Sequence, residues 1–289
     1  MKIHNRILAG VLAAGIALTA CGCSGKPSMK ELAAGLTVVE GESSKGNIGE
    51  MTLAKGDLIA VFDIKGYGTI KAKLFPDIAP VGVDNFVKLA ESGYYKGLSI
   101  HRVVKDFMMQ GGSLNGDGTG GDALVGDGSF GIETDTQNAR HFYGALCYAN
   151  AMGSNSTQFY IVNNNTPQTL SDDNNEAVLS YAEQFDQAAE EYKDVPEAVA
   201  YYTFQANYYR TMAQAAADAS DEIIEKYAQV GGTPSLDGNY TVFGQVYDGF
   251  DVIDEIAAVS VADNGNGEQS KPVKDITIKS VEVFTYNPD

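Results

Sequence analysis

The 289 residues contain no tryptophan, three histidines and three cysteines. Each scarcity removes a class of chemistry. His4, His101 and His141 are too few for a multi-histidine metal centre once His4 is set aside with an N-terminal leader. Cys21, Cys23 and Cys147 make no disulfide framework, and Cys147, in an apolar strand-like run, reads as a small buried hydrophobe. Without tryptophan, intrinsic fluorescence reports on tyrosine alone. Positive charge is also short, with 20 Lys and Arg against 38 Asp and Glu. That balance disfavours nucleic acid and is repelled by an anionic membrane surface. The glycine-rich run from Gly111 to Gly131 has neither the Gly-Lys-Ser/Thr ending of a phosphate loop nor the acid spacing and closing glutamate of an EF-hand. No Ser-His-Asp or Cys-His arrangement stands out, and no metal or cofactor is expected. A single long apolar run occurs, at the N-terminus.

That run is Ile7 to Ala20, fourteen residues behind Lys2 and Arg6. It is too short to span a bilayer comfortably and suits a secretory leader. Leu18-Thr19-Ala20-Cys21 ends it, and the whole resembles a bacterial lipoprotein signal, in which the cysteine thiol is acylated and residues 1–20 are removed. Cys21 is the expected lipidation site; Cys23 competes, with a less fitting Ala20-Cys21-Gly22 before it. The expectation is an extracytoplasmic protein held to the bacterial cell membrane by lipid rather than by a transmembrane helix. Residues 21–56 mix Gly, Ser, Lys and Glu around one apolar patch, Leu36 to Val39, and read as a tether.

From residue 57 the pattern is that of short strands: Leu58 to Ile64, Thr69 to Phe75, Ser99 to Lys105, Phe107 to Gly111, Ala145 to Ala149, Phe159 to Val162, Thr241 to Tyr247 and Ile276 to Phe284. Helices are expected from Pro80 to about Ala90 and from Phe250 to Val259. Many short strands, glycine-rich turns and two flanking helices predict a mainly β fold, a closed antiparallel barrel built from residues 57–162 and 233–286. Residues 163–232 differ. Val178, Tyr181, Ala182, Phe185, Ala189 and Tyr192 recur at helical spacing, Pro196 opens a second helical run, and Ser220 and Gly231-Gly232 bracket a third. Three helices are predicted here, in an inserted acidic subdomain with 13 acids and 3 bases. Its seven tyrosines suit helix packing first and a substrate surface second.

Three motifs, in order, carry a likeness to a known family. Ile100-His101-Arg102-Val103-Val104-Lys105-Asp106-Phe107-Met108-Met109-Gln110-Gly111-Gly112 comes first. Tyr148-Ala149-Asn150-Ala151 with Gln158-Phe159-Tyr160-Ile161 is second, and Leu236-Asp237-Gly238-Asn239-Tyr240-Thr241-Val242-Phe243-Gly244 is third. Together they resemble the cyclophilin family of peptidyl-prolyl isomerases. The resemblance implies a cyclophilin-like barrel with Arg102 as the catalytic donor. It also implies a proline pocket of Phe107, Met108, Tyr160 and Leu236, with Tyr240 beside it, and Gln110 orienting the arginine. Ala149 and Asn150 would anchor the residue before proline through their backbone. Tyr160 replaces the usual phenylalanine and would carry its hydroxyl to the pocket rim. Ser235 stands where many eukaryotic members have the indole that binds cyclosporin, so weak cyclosporin binding is expected.

The partners expected are proline-containing polypeptides and, through lipid on Cys21, a membrane; a monomer is expected. A different class of function competes, a lipid-anchored folding helper or envelope scaffold that holds clients with little isomerase activity.

Overall fold

The computed structural model describes residues 43–170 and 175–287. The leader, Cys21, Cys23 and the patch at 36–39 lie outside them. Among the described residues no helix is long and apolar enough to cross a membrane.

The first strands among the described residues are β1 (Leu58–Ile64) and β2 (Gly68–Leu74), paired antiparallel as alternation in the sequence predicts. Helix α1 (Pro80–Glu91) follows. No side chain of its own N-cap residue serves it; Glu133, 52 residues on, accepts from the N–H groups of Val81 and Gly82 at 3.0 and 2.8 Å. These are two of the donors that every helix start leaves unpaired. Next come β3 (Ile100–Val104), β4 (Met108–Gly111), a short β5 (Phe130–Gly131), β6 (Ala145–Ala151) and β7 (Ser154–Val162). After the helical segment come β8 (Val242–Asp248), helix α5 (Phe250–Ala257), β9 (Val261–Asp263), β10 (Gln269–Pro272) and β11 (Ile278–Thr285).

All pairings are antiparallel, in the order β11-β1-β2-β8-β6-β7-β4-β3, with β5 on β7 and β9-β10 as a separate hairpin. The two ends of that curled sheet come together. Ser99 bridges Thr277, Ile100 N–H donates to the Ile276 carbonyl at 2.9 Å, and Ile278 N–H donates to that of Leu98 at 2.8 Å.

One face of the sheet encloses the main core. Phe62, Phe86, Phe159 and Phe243 meet there, with centroids 5.2 Å apart for Phe62–Phe159 and 5.1 Å for Phe86–Phe243. Each buried ring of this kind contributes about 1.5–3 kcal/mol of transfer free energy. Helix α1 turns Val83, Phe86, Leu89 and Ala90 to this core, and α5 turns Phe250, Ile253 and Ile256 to it.

Between β7 and β8 lie the three expected helices, α2 (Asn175–Glu191), α3 (Pro196–Ala217) and α4 (Asp221–Val230). Phe185 stacks on Tyr209 at 5.7 Å, Tyr181 packs on Tyr209 at 5.4 Å and Tyr192 on Tyr202 at 5.7 Å, so most of these aromatics join α2 to α3. Asp186 and Arg210 pair across the same seam. Ser220 caps α4 by accepting from Ile223 N–H. Where the chain rejoins the sheet, Gly232 has φ +133°, and a Cβ there would fall 2.3 Å from the His141 carbonyl. Only glycine fits so close an approach.

The tether expectation fails for residues 43–56, which are docked. Asn47 is buried, its side-chain amide donating to the Arg140 carbonyl and to Gln245 Oε1, while Leu53 and Ala54 are buried beside β1. Lys226 of α4 donates to the carbonyls of Asn47, Ile48 and Gly49 at 2.5, 2.9 and 3.0 Å. Buried lysine on β2 completes the attachment: Lys73 pairs with Asp57 at 2.9 Å and donates to Ser43 Oγ and the Thr52 carbonyl. The composition reads as linker because these anchors are polar and act at long range.

Candidate active site

Strand register builds the site. Arg102 on β3 pairs with Gln110 on β4, Gln110 with Tyr160 on β7, Tyr160 with Cys147 on β6, and Cys147 with Val242 on β8. Directly opposed residues in antiparallel strands share a face. These five side chains therefore form one row across the sheet, while Met109, Ile161 and Leu146 turn the other way into the main core.

Around that row lies a second apolar cluster. Met108, Tyr160 and Leu236 are buried in it with Cys147, Val162 and Val242, and Phe107, Ala149 and Tyr240 pack against it half-buried. The pocket residues predicted from sequence are thus brought together from five segments. Phe107 sits in the tight turn between β3 and β4, where Asp106 has φ +56°. Asn163 holds this turn from both sides, accepting from Phe107 N–H at 2.8 Å and donating to the Val104 carbonyl at 3.1 Å. Leu236 ends a short 3-10 helix, Pro234–Leu236.

Arg102 stands at the edge of this wall. Its guanidinium carbon is 5.8 Å from the Phe107 ring centroid, and its Nη1 donates to Gln110 Oε1 at 3.2 Å. Gln110 Nε2 donates in turn to Gln158 Oε1 at 3.0 Å, and Gln158 Nε2 to the Gly118 carbonyl at 2.9 Å. A relay of amides thus ties the arginine to the glycine-rich loop. That loop is organised by Asp117, which accepts from both the N–H and the hydroxyl of Thr119. Among the described residues no group of three His, Cys, Asp or Glu could hold a metal.

Asn150 lies at the far end of β6 and serves the frame with its side chain, donating to the Asn239 carbonyl at 3.0 Å and accepting from Gly153 N–H at 3.0 Å. Tyr160 departs from expectation. Its hydroxyl is buried towards the Cys147 thiol rather than carried to a rim, because the cross-strand register sets those two residues opposite each other. Burial pushes both the phenol and the thiol well up from their ordinary pKa values. Tyr160 lies parallel to His141 at 6.2 Å and edge-on to Tyr240 at 6.0 Å.

Sequence reasoning missed four contributors. Gln158 extends the relay, Asn163 shapes the Phe107 turn, and Tyr208 of α3 reaches Tyr240 with centroids 6.4 Å apart. Glu268, between β9 and β10, forms a two-point ion pair with Arg102, both N···O distances 2.7 Å. Only Gln158 lay inside a recognisable motif; the others act from the segment between β7 and β8 or from a polar turn.

The site is an apolar wall with N–H donors of Arg102 at its edge. The family profile described as cyclophilin type peptidyl-prolyl cis-trans isomerase/CLD matches residues 59–181 and 170–283. A Staphylococcus saprophyticus protein named for peptidyl-prolyl cis-trans isomerase activity is 36% identical over 219 residues, which is 75% of this chain and 87% of that one. Its Staphylococcus haemolyticus counterpart is 36% identical over 217 residues, 75% of this chain and 86% of the other. Among solved structures, a cyclophilin type peptidyl-prolyl cis-trans isomerase of Cryptosporidium parvum superposes with TM-score 0.52 at 20% identity, covering 80% of this chain and 99% of that one. A crystal structure of it in the presence of the dipeptide Ala-Pro gives 0.51 at 21% identity, covering 79% and 99%. The chain belongs to the cyclophilin-type peptidyl-prolyl cis-trans isomerases.

Proposed function

We propose that this isomerase speeds cis/trans exchange at X-Pro bonds of polypeptides outside the cytoplasm, with Arg102 as its catalytic residue. The barrier to be lowered, about 20 kcal/mol, comes from lost amide resonance as the C–N bond twists. No bond is broken. In the twisted state the prolyl nitrogen becomes pyramidal and gains a lone pair, and a donor fixed in advance meets it. A hydrogen bond made only in that state lowers the barrier, whereas one made equally to the flat amide does not. The observation that carries this reading is the cross-strand row, which puts Arg102 and Gln110 at the edge of the Phe107, Met108, Tyr160 and Leu236 wall. The wall would grip the proline ring, Tyr240 would flank it, and the backbone of Ala149 and Asn150 would pair with the preceding residue.

The seam at Ser99 and Thr277 supports a closed barrel, and the helices between β7 and β8 support an inserted subdomain. Lipid on Cys21 would hold the enzyme, a monomer, to the bacterial cell membrane on its extracytoplasmic side. Secreted chains fold there with slow prolyl steps of tens of seconds or more.

The test is the exchange rate of an X-Pro peptide measured by NMR line shape and magnetisation transfer, with wild type and Arg102→Ala. Wild type accelerates exchange, and the variant, still folded, loses on the order of 100-fold, the usual effect of removing one transition-state donor. Equal rates in the two proteins would exclude Arg102 as the donor.

A further inference from the structure

Arg102 does not stand free at the pocket edge. Its Nε–H donates to Glu268 Oε2 and its Nη2–H to Glu268 Oε1, each at 2.7 Å. Two parallel bonds of this kind fix the plane of a guanidinium as well as its position. Gln110 takes a third N–H, from Nη1. A guanidinium has five, so one hydrogen on Nη1 and one on Nη2 are left. Nη1 lies 3.6 Å from the thioether of Met108, a weak acceptor that belongs to the pocket wall. A better acceptor arriving on the wall displaces that contact readily.

Glu268 is itself held. It ends the Asn264-Gly265-Asn266-Gly267 turn that joins β9 to β10, and β10 packs beside β3. Asn264 N–H donates to the Glu268 carbonyl at 2.9 Å and Asn264 Nδ2 to its carboxylate at 3.3 Å. Asp263 accepts from the N–H groups of Gly265 and Gly267 at 2.6 and 3.3 Å, both glycines having positive φ. The turn is tied internally and delivers its carboxylate to one edge of Arg102.

We propose that Glu268 is a positioning residue of the isomerase, clamping the Nε and Nη2 edge of Arg102 so that its remaining N–H donors face the twisted prolyl amide. This rests on the reading of Arg102 as the donor. Without the clamp the side chain samples several rotamers, and the donor is in place for a fraction of the time in which the amide is twisted. That loss falls on kcat. The flat peptide is held by the apolar wall and strand pairing, so KM is spared. A carboxylate that merely competed with peptide would be expected on the donors beside Met108 and Gln110; Glu268 takes the opposite edge.

The experiment uses the full chain as wild type, Glu268→Gln, Glu268→Asp, Arg102→Ala and the Arg102→Ala/Glu268→Gln double variant, with kcat and KM measured on one X-Pro peptide. The glutamate side chain is 40% exposed, so its replacement leaves the fold in place. Glu268→Gln is expected to lower kcat by about 10- to 100-fold, the cost of slight misplacement of a catalytic group, with KM within about twofold. Glu268→Asp, which keeps the charge, recovers part of the loss. In the Arg102→Ala background Glu268→Gln costs nothing more. The Arg102 Nε–H resonance, sharp and slow to exchange in wild type, broadens and exchanges fast with water in Glu268→Gln. An unchanged or raised kcat in Glu268→Gln overturns the proposal, and so does a loss that persists undiminished in the Arg102→Ala background. Full kcat in Arg102→Ala alone overturns the donor reading, and the positioning role with it.

Discussion

Tyr208 stands edge-on to Tyr240 beside the apolar wall, ring centroids 6.4 Å apart, and donates its hydroxyl to the Ser235 carbonyl at 3.3 Å. A helix of the segment between β7 and β8 therefore supports the loop that carries Leu236 and Tyr240. Asn239 Nδ2 donates to the Tyr208 carbonyl at 3.0 Å, a second tie between the same two segments. Replacing Tyr208 by alanine removes an aromatic contact worth about 0.5–1.5 kcal/mol without touching Arg102. Steady-state kinetics on an X-Pro peptide should show KM raised about 2- to 10-fold, that free energy expressed as a ratio, with kcat kept. Tyr208→Phe, which keeps the ring, should stay near wild type. A fall in kcat with KM unchanged would mean that Tyr208 acts on the arginine and not on the wall.

Asp237 is the hub beneath that loop. Its carboxylate accepts from Arg140 Nη1 at 3.0 Å, Tyr227 OH at 2.8 Å and the His141 N–H at 3.0 Å, and lies 2.8 Å from His141 Nδ1. Arg140 is fully buried. Asp237→Ala leaves that cation without its counter-charge, and breaking a buried pair in this way costs about 3–5 kcal/mol. Urea unfolding should show the loss as a lower midpoint at constant slope. Tyr227→Phe removes one bond to the carboxylate and should cost about 1.5–3 kcal/mol.

Most of the frame was legible in the sequence because it rests on local patterns. Alternation in Leu58–Ile64 and helical spacing in Asn175–Glu191 are written in neighbouring residues, and the ends of α4 follow from Ser220 and Gly231. The residues of the second apolar cluster were legible as motifs, and the register explains why they converge. Glu268 was not legible. It lies 166 residues from Arg102, in a turn whose Asn and Gly say only that the chain reverses. The docking of residues 43–56 escaped for the same reason, since Asn47 looks like any linker asparagine until Arg140 and Gln245 are seen around it. Burial of the Tyr160 hydroxyl depends on cross-strand pairing with Cys147, which periodicity alone does not assign.

His101 gives a pH dependence with a definite sign. Burial, and then the neighbouring Arg102 charge, hold its pKa at about 4 against 6.5 for the free side chain. The unfolded chain therefore takes up the proton first. Stability is complete above about pH 6.5, falls as pH drops towards 4, and levels off below that as far as this group is concerned. The whole effect is at most about 3 kcal/mol. Glu268, held down to about 2 by its bonds to Arg102, loses its contribution only at pH values below the unfolded glutamate range. Urea midpoints between pH 4 and 6.5 should therefore follow His101, and His101→Gln should flatten them.

Ser235 offers cyclosporin no indole. Its carbonyl is engaged by Tyr208, in the short helix that ends at Leu236. Calorimetric titration should show weak binding. A low-nanomolar complex would mean that another surface of the pocket replaces the missing ring.

The helical segment between β7 and β8 is tied to the sheet at more points than a mobile appendage needs. Arg140 Nη1 donates to the Ala215 carbonyl at 2.8 Å, Tyr227 OH donates to Asp237, and Lys226 holds the carbonyls of residues 47–49. Replacing residues 165–231 by a short linker removes all three at once, and leaves the buried Arg140 and Asp237 short of partners. Stability should fall by more than Tyr227→Phe alone produces, and turnover should fall with it, because Leu236 and Tyr240 lie on the loop that Asp237 anchors. Unchanged turnover with lost binding of an unfolded client would instead assign client capture to the helices and isomerisation to the barrel. Restoring Tyr208 and Tyr227 on a shortened insertion separates the two: recovery of turnover without recovery of client binding places the helices' contribution to catalysis in those two contacts.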